Sequence, residues 1–226
     1  MSLYFLLLLA SGGIPVLLSF DKRLRFYKQW KYVMPSIFIV AGLYIVFDVW
    51  FTKQGHWGFN SQYLSGINLF GLPLEECLFF VIIPYASIFL HESVLEYFPQ
   101  LKINKKTSIV LVLILAVVSL IIAIMNTDRA YTFYILMKTA TVLLLVLMTR
   151  SEVLCSFFIT FLVILIPFMI VNGILTGSFI ENEVVWYNNN ENLGLRFFTI
   201  PVEDFAYAFS MLLFNLLIIE KLKNLY

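Results

Sequence analysis

The chain has 226 residues, of which 61% are hydrophobic and 13% charged, with a formal net charge of +1. Apolar runs long enough to cross a bilayer recur along its length, so the composition points to an all-α polytopic membrane protein rather than a soluble domain or a short-alternation barrel. No basic patch interleaves with aromatics, which argues against a nucleic-acid partner, and Cys77 and Cys155 lack both disulfide-framework and zinc-ligand spacing.

In chain order, Met1 to Phe20 is apolar from the start and has no positively charged leader, so it is expected to remain as the first span. A basic connection follows, then a span over 33 to 51 that carries Phe47-Asp48-Val49-Trp50. His56 falls in the next connection, as a proton relay or as a solvated loop histidine. Pro73-Leu74-Glu75-Glu76-Cys77-Leu78-Phe79-Phe80 opens the third span, 73 to 97, with Pro84 inside it and Glu92 near its end. Further spans are expected over 106 to 125, 131 to 149 with Lys138 inside, and 153 to 175 with Pro167 and Asn172. The polar stretch Asn188 to Asn190 precedes Pro201-Val202-Glu203-Asp204-Phe205-Ala206-Tyr207, which opens the last span, 200 to 220. Seven transmembrane helices result.

Lys22, Arg23, Arg25, Lys28, Lys31, Lys102, Lys105, Lys106, Arg150, Lys221 and Lys223 fall on one side of these spans, against Lys53, Arg129 and Arg196 on the other. Positive connections are retained in the cytoplasm, so the amino terminus is expected outside and the carboxyl terminus inside the cell membrane.

Displacing the sequence by 128 positions aligns Gly66 with Gly194, Phe70 with Phe198, Pro73 with Pro201, Glu75 with Glu203, Glu76 with Asp204 and Phe79 with Tyr207. The same displacement lays span one on span five and span two on span six. The expected organisation is a three-helix module over 1–97, a linker with the fourth helix over 98–128, and a second module over 129–226. An odd linking helix gives the two modules the same orientation, as parallel repeats about an axis along the membrane normal.

The duplicated acids ask for a chemical explanation, because carboxyls near hydrocarbon are costly. Helix starts attract proline and acidic residues without any chemistry, and the positive end of the dipole favours one carboxylate by about 0.3 to 1 kcal/mol. That contribution does not explain two consecutive acids in each of two copies. Neighbouring helical residues point about 100° apart, so one acid of each pair can face a cavity. Burial disfavours the charged form of a carboxyl, and two environments can thereby separate an acid from a base. Glu75 and Glu203, two places after proline, are the first choice for the acid, followed by Glu76 and Asp204; Glu75→Gln and Glu203→Gln are expected to abolish the chemistry. Asp48 is a candidate to position the acid or carry protons, or else a helix cap. Trp57, Phe79, Phe80, Trp186, Phe198, Phe205 and Tyr207 are candidate ring walls, whose π faces stabilise a cation, although Trp and Tyr also populate interfaces for other reasons.

At these motifs the chain resembles the integral-membrane lycopene cyclases of bacteria, archaea and fungi, built of two homologous modules on separate or fused chains. The likeness extends over essentially the whole chain, with both modules fused and the phytoene synthase domain of fungal members absent. It implies redox-neutral, proton-initiated closure of the linear ends of lycopene to β-ionone rings, with lycopene drawn from the surrounding membrane lipids. The second module departs from the first at Asp48, which aligns with Thr176. No Gly-x-Gly-x-x-Gly turn is present, so no nucleotide cofactor is expected, and the absence of metal-ligand spacing leaves no metal expected either. Competing readings are a proton-coupled transporter, which suits repeats and intramembrane acids, and a retinal-type seven-helix protein, which needs a lysine inside the last span. A diphosphate-dependent prenyltransferase would want clustered aspartates, and the four here are scattered.

Overall fold

The computed structural model describes residues 2–149 and 151–225. Arg150, one of the cations used to orient the chain, and Met1 lie outside the described residues, as does Tyr226. Among the described residues there are seven α-helices: α1 (Leu3–Leu18), α2 (Trp30–Gln54), α3 (Leu74–Tyr97), α4 (Lys105–Met125), α5 (Ala130–Met148), α6 (Leu154–Leu175) and α7 (Val202–Leu225). Six are long and apolar enough to cross a membrane, α2 together with the short 3₁₀ turn before it. The exception is α1, whose 16 residues span about 24 Å at 1.5 Å per residue.

Local chemistry explains the ends. Ser2 caps α1 by accepting from the Phe5 N–H at 3.2 Å, and Asn104 caps α4 by accepting from the Thr107 N–H at 2.8 Å. Gly55 terminates α2 at φ 74°, a left-handed conformation in which glycine escapes the Cβ penalty.

Helix α1 packs on α3, α5 on α7, and α2 lies against both α3 and α7, while α6 leans on α3 and, more lightly, on α1. Helix α4 covers the outside of α5 with a buried stripe of Ser108, Val112, Ala116, Ser119 and Ala123. Small residues allow the close backbone approach that drives association where lipid tails are as apolar as the side chains. Buried polar pairs set the rotation of other helices. The Ser36 hydroxyl of α2 donates to the Asn215 side chain of α7 at 3.0 Å, and His91 of α3 meets the Thr160 hydroxyl of α6 at 2.7 Å. The largest apolar cluster surrounds Phe26, Phe157 and Phe209, at the end of the bundle remote from the acidic signatures.

The connections at the acidic end contain β structure that the apolar pattern does not announce. Strand β1 (Trp57–Phe59) pairs antiparallel with β4 (Val185–Tyr187), joining the connection after α2 to the one after α6. Gly58 permits this ribbon: a Cβ there would lie 2.3 Å from the Trp186 ring. Two minimal hairpins, β2 (Asn68–Leu69) with β3 (Leu72–Pro73) and β5 (Arg196–Phe197) with β6 (Ile200–Pro201), lead directly into α3 and α7.

Candidate active site

Each acidic signature is delivered by one of these hairpins. The first turns through Phe70 at φ 56° and Gly71 at φ 89°, both left-handed, as a tight two-residue turn between twisted strands requires. The second turns through Phe198 at φ 54°, and the Thr199 hydroxyl that follows donates to the Gly173 carbonyl at 3.1 Å. Behind the hairpins, the Leu74 N–H reaches the Ile67 carbonyl at 2.8 Å and the Val202 N–H reaches the Leu195 carbonyl at 3.1 Å. Pro73 and Pro201 therefore close the hairpins, and the helices begin one residue later, at Leu74 and Val202.

Consecutive acids then diverge. Glu75 turns back towards the chain: its Oε1 accepts from the Ser2 hydroxyl at 2.7 Å and the Ser65 N–H at 2.6 Å. Glu203 does the same, accepting from the Thr132 hydroxyl at 2.6 Å and the Leu193 N–H at 2.8 Å. Each of these carboxyls ties the approach to a hairpin to the start of a neighbouring helix, and neither lines the cavity described next. Glu76 and Asp204, about 100° further round their helices, do line it.

That cavity, of about 590 Å³, lies between α1, α3, α6 and α7, and Asp48 of α2 joins Glu76 and Asp204 at its polar end. The three carboxyls are held very differently. Asp204 accepts from three donors: the Tyr131 hydroxyl on Oδ1, and on Oδ2 the Tyr187 hydroxyl at 2.9 Å and the Asn172 amide at 3.0 Å. Glu76 accepts from one, the Tyr4 hydroxyl at 2.7 Å. Asp48 is 1% exposed and neither of its oxygens has a partner among the described residues. The Tyr207 hydroxyl, also on the cavity wall, is buried and equally unpartnered. Tyr187 sits on β4, outside the spans; burial and the facing Asp204 carboxylate push its phenol well above the usual range, so it stays a donor. Away from the acids the wall is apolar, with Trp57, Phe79, Phe80, Phe161 and Phe168 supplying rings.

The candidate ring residues separate. Trp57, Phe79, Phe80 and Tyr207 line the cavity. Trp186 lies against Gly58 in the ribbon, Phe198 is 82% exposed at its hairpin tip, and Phe205 packs on Phe168 and Phe197; none of the three lines the cavity. Lys138 pairs with no carboxylate within 4.0 Å among the described residues. Its Nζ sits over two rings, 3.8 Å from the centroid of Tyr44 and 3.7 Å from that of Tyr207. His56 is buried, its Nδ1 3.6 Å from Glu191 Oε2, and Glu92 pairs with Lys223 at 3.1 Å at the far end of the bundle.

Sequence reasoning missed the donors. Tyr4 and Tyr131 open the first and fifth helices, 127 positions apart, and so fall one residue out of register with the displacement of 128 that aligns the acids. Asn172, read as part of a span end, and Tyr187, read as one ring among many, carried no separate signal.

A family model described as lycopene cyclase matches residues 1–94 and 128–222. The chain belongs to the lycopene cyclase family. The two matched segments each contain one acidic signature and leave the α4 region between them unmatched. No curated protein and no solved structure was found to match. For this lycopene cyclase family member, Glu75→Ala is expected to act on folding before chemistry. Removing the acceptor takes away the part-buried hydrogen bonds from the Ser65 N–H and the Ser2 hydroxyl, at a cost of about 0.5–1.5 kcal/mol each. A thermal melt of the purified protein should fall, while ring formation per folded molecule is largely kept. An unchanged melt with lost turnover would return the chemistry to Glu75.

Proposed function

We propose that the protein is a lycopene β-cyclase, an intramolecular lyase that converts linear end groups of lycopene into β-ionone rings without a redox cofactor. The observation that carries this reading is a ring-walled apolar cavity ending on three carboxyls that differ in their donors. A long hydrocarbon fits the walls, and the polar end holds what proton-initiated cyclisation needs, a proton source, a counter-charge and a proton acceptor.

Asp48 is the proposed acid. A buried carboxyl with no hydrogen-bond partner in normal range is cheaper neutral than ionised, so it is proposed to carry the proton. Protonation of the terminal double bond leaves a tertiary cation. The electrons of the internal double bond then close the ring through a new carbon–carbon bond, and the resulting cation loses a neighbouring proton to regenerate one double bond. One proton enters and one leaves, so the molecular formula is unchanged and no electrons are transferred. Asp204, an acceptor to three donors, is the proposed anion that steadies the cation and takes the departing proton; Glu76, at the same end, is placed in the path that returns it to Asp48. Phe79, Phe80, Trp57 and Tyr207 present π faces, which stabilise positive charge without a lone pair that would trap it.

In this reading all seven helices span the membrane, the amino terminus lies outside, and residues 1–97 and 129–226 form two parallel modules joined by the α4 segment. Repetition of the clamp contacts of Glu75 at Glu203 supports that organisation. Expression in cells that accumulate lycopene, followed by chromatography of the extracted pigment, tests the activity. Ringed products are expected. Unchanged lycopene beside correctly inserted protein would remove the assignment, and proton-coupled uptake in vesicles would replace it with transport.

A further inference from the structure

Two modules suggest two reaction chambers, one for each end of a symmetric polyene. From the packing we infer that the protein has one chamber, and closes one ring per encounter, releasing the half-cyclised polyene before its second end reacts. This rests on the cyclase reading above.

The chamber is bounded on α1 by Ala10 and Ser11, on α3 by Phe79 and on α6 by Asn172. The positions 128 residues away are Lys138, Thr139, Tyr207 and Tyr44. There, between α2, α5 and α7, the equivalent space is filled. Lys138, in place of a methyl group, lays its Nζ against both tyrosine rings, which meet edge to face with centroids 5.1 Å apart. Thr139 is bound to the Ala206 carbonyl at 3.2 Å, and the Tyr44 hydroxyl lies 3.3 Å from that of Ser210. With Lys138 Nζ packed against both ring faces, side chains occupy the space that the methyl group of Ala10 leaves open on the other side. Asp48, Glu76 and Asp204 all line the open side.

The open chamber has the shape for one end of a polyene. Along α1 it runs from Tyr4 to Leu18, about 21 Å at 1.5 Å per residue. Ile14, Leu18 and Ile170 line it and are also largely exposed on the lipid-facing surface, so it opens sideways to the bilayer. Extended lycopene is about as long as the hydrocarbon core is thick, roughly 30 Å, so with one end at the carboxyls the other trails into lipid. A conjugated chain is too stiff to fold back on itself within the cavity. The second end reaches the same carboxyls only after the molecule withdraws, turns in the bilayer and enters again.

A pulse of isotope-labelled lycopene to the protein in liposomes, chased during turnover with excess unlabelled lycopene, separates the two schemes. Labelled monocyclic product is expected to persist, and label should enter the bicyclic product more slowly in proportion to the excess. Continued formation of labelled bicyclic product at an unaltered rate would overturn the single chamber. Independently, Ala86→Phe, which fills the open chamber, should suppress both ring closures together; bicyclic product replaced by monocyclic product would reveal a second chamber and overturn the inference. Absence of any ring from the unaltered protein would instead sink the cyclase reading beneath it.

Discussion

Asp48→Asn is expected to cut ring formation by about 10²–10⁴-fold, the usual contribution of a positioned general acid, while the thermal melt stays level or rises. The two effects diverge because Asp48 is buried and neither of its oxygens has a hydrogen-bond partner within 3.5 Å among the described residues. Its burial opposes folding, so an amide of nearly the same shape removes the proton donor without removing a hydrogen bond of normal length. Chromatographic turnover per folded molecule, set beside a melt in detergent, reads both quantities. Turnover equal to that of the unaltered protein would move proton donation to Glu76; a steep fall in the melt would make Asp48 a structural residue.

Asp204→Asn is expected to lower turnover by about 10²–10³-fold, the size of losses seen when preorganised charge at a developing ion is removed. The apparent affinity for lycopene should change little, because in the proposed reading the polyene is held by apolar walls and not by this carboxylate. Tyr131, Tyr187 and Asn172 would then face a neutral amide that still offers one acceptor oxygen, so the site keeps its shape while losing its charge. Measured on liposomes across a range of lycopene content, the loss should appear in the maximal rate. A loss confined to half-saturation would make Asp204 a binding residue and require another base.

How far the sequence is legible depends on the range of the interaction being read. Hydropathy places the long helices within a few residues, yet α2 begins at Trp30 and ends at Gln54, and α7 runs on to Leu225. Their charged ends continue the helix beyond the apolar stretch, and hydropathy registers only the apolar part. The ribbon between Trp57–Phe59 and Val185–Tyr187 joins segments more than a hundred residues apart in runs too short to show a period of two. Placement after proline favours Glu75 and Glu203 as acids, whereas the side chains that reach the cavity belong to Glu76 and Asp204.

By itself the sequence determined the membrane class, the approximate spans, the duplicated acid pairs and the family, because each of these is written in near neighbours: apolar runs, a proline beside acids, a constant displacement of 128. Only the tertiary structure decided which acid of each pair meets the cavity, that Asp48 joins them, and that Lys138 packs against Tyr44 and Tyr207. The helical period dictates that neighbours point apart, but which direction is inward depends on the helices packed around them. That information resides in contacts between residues far apart along the chain.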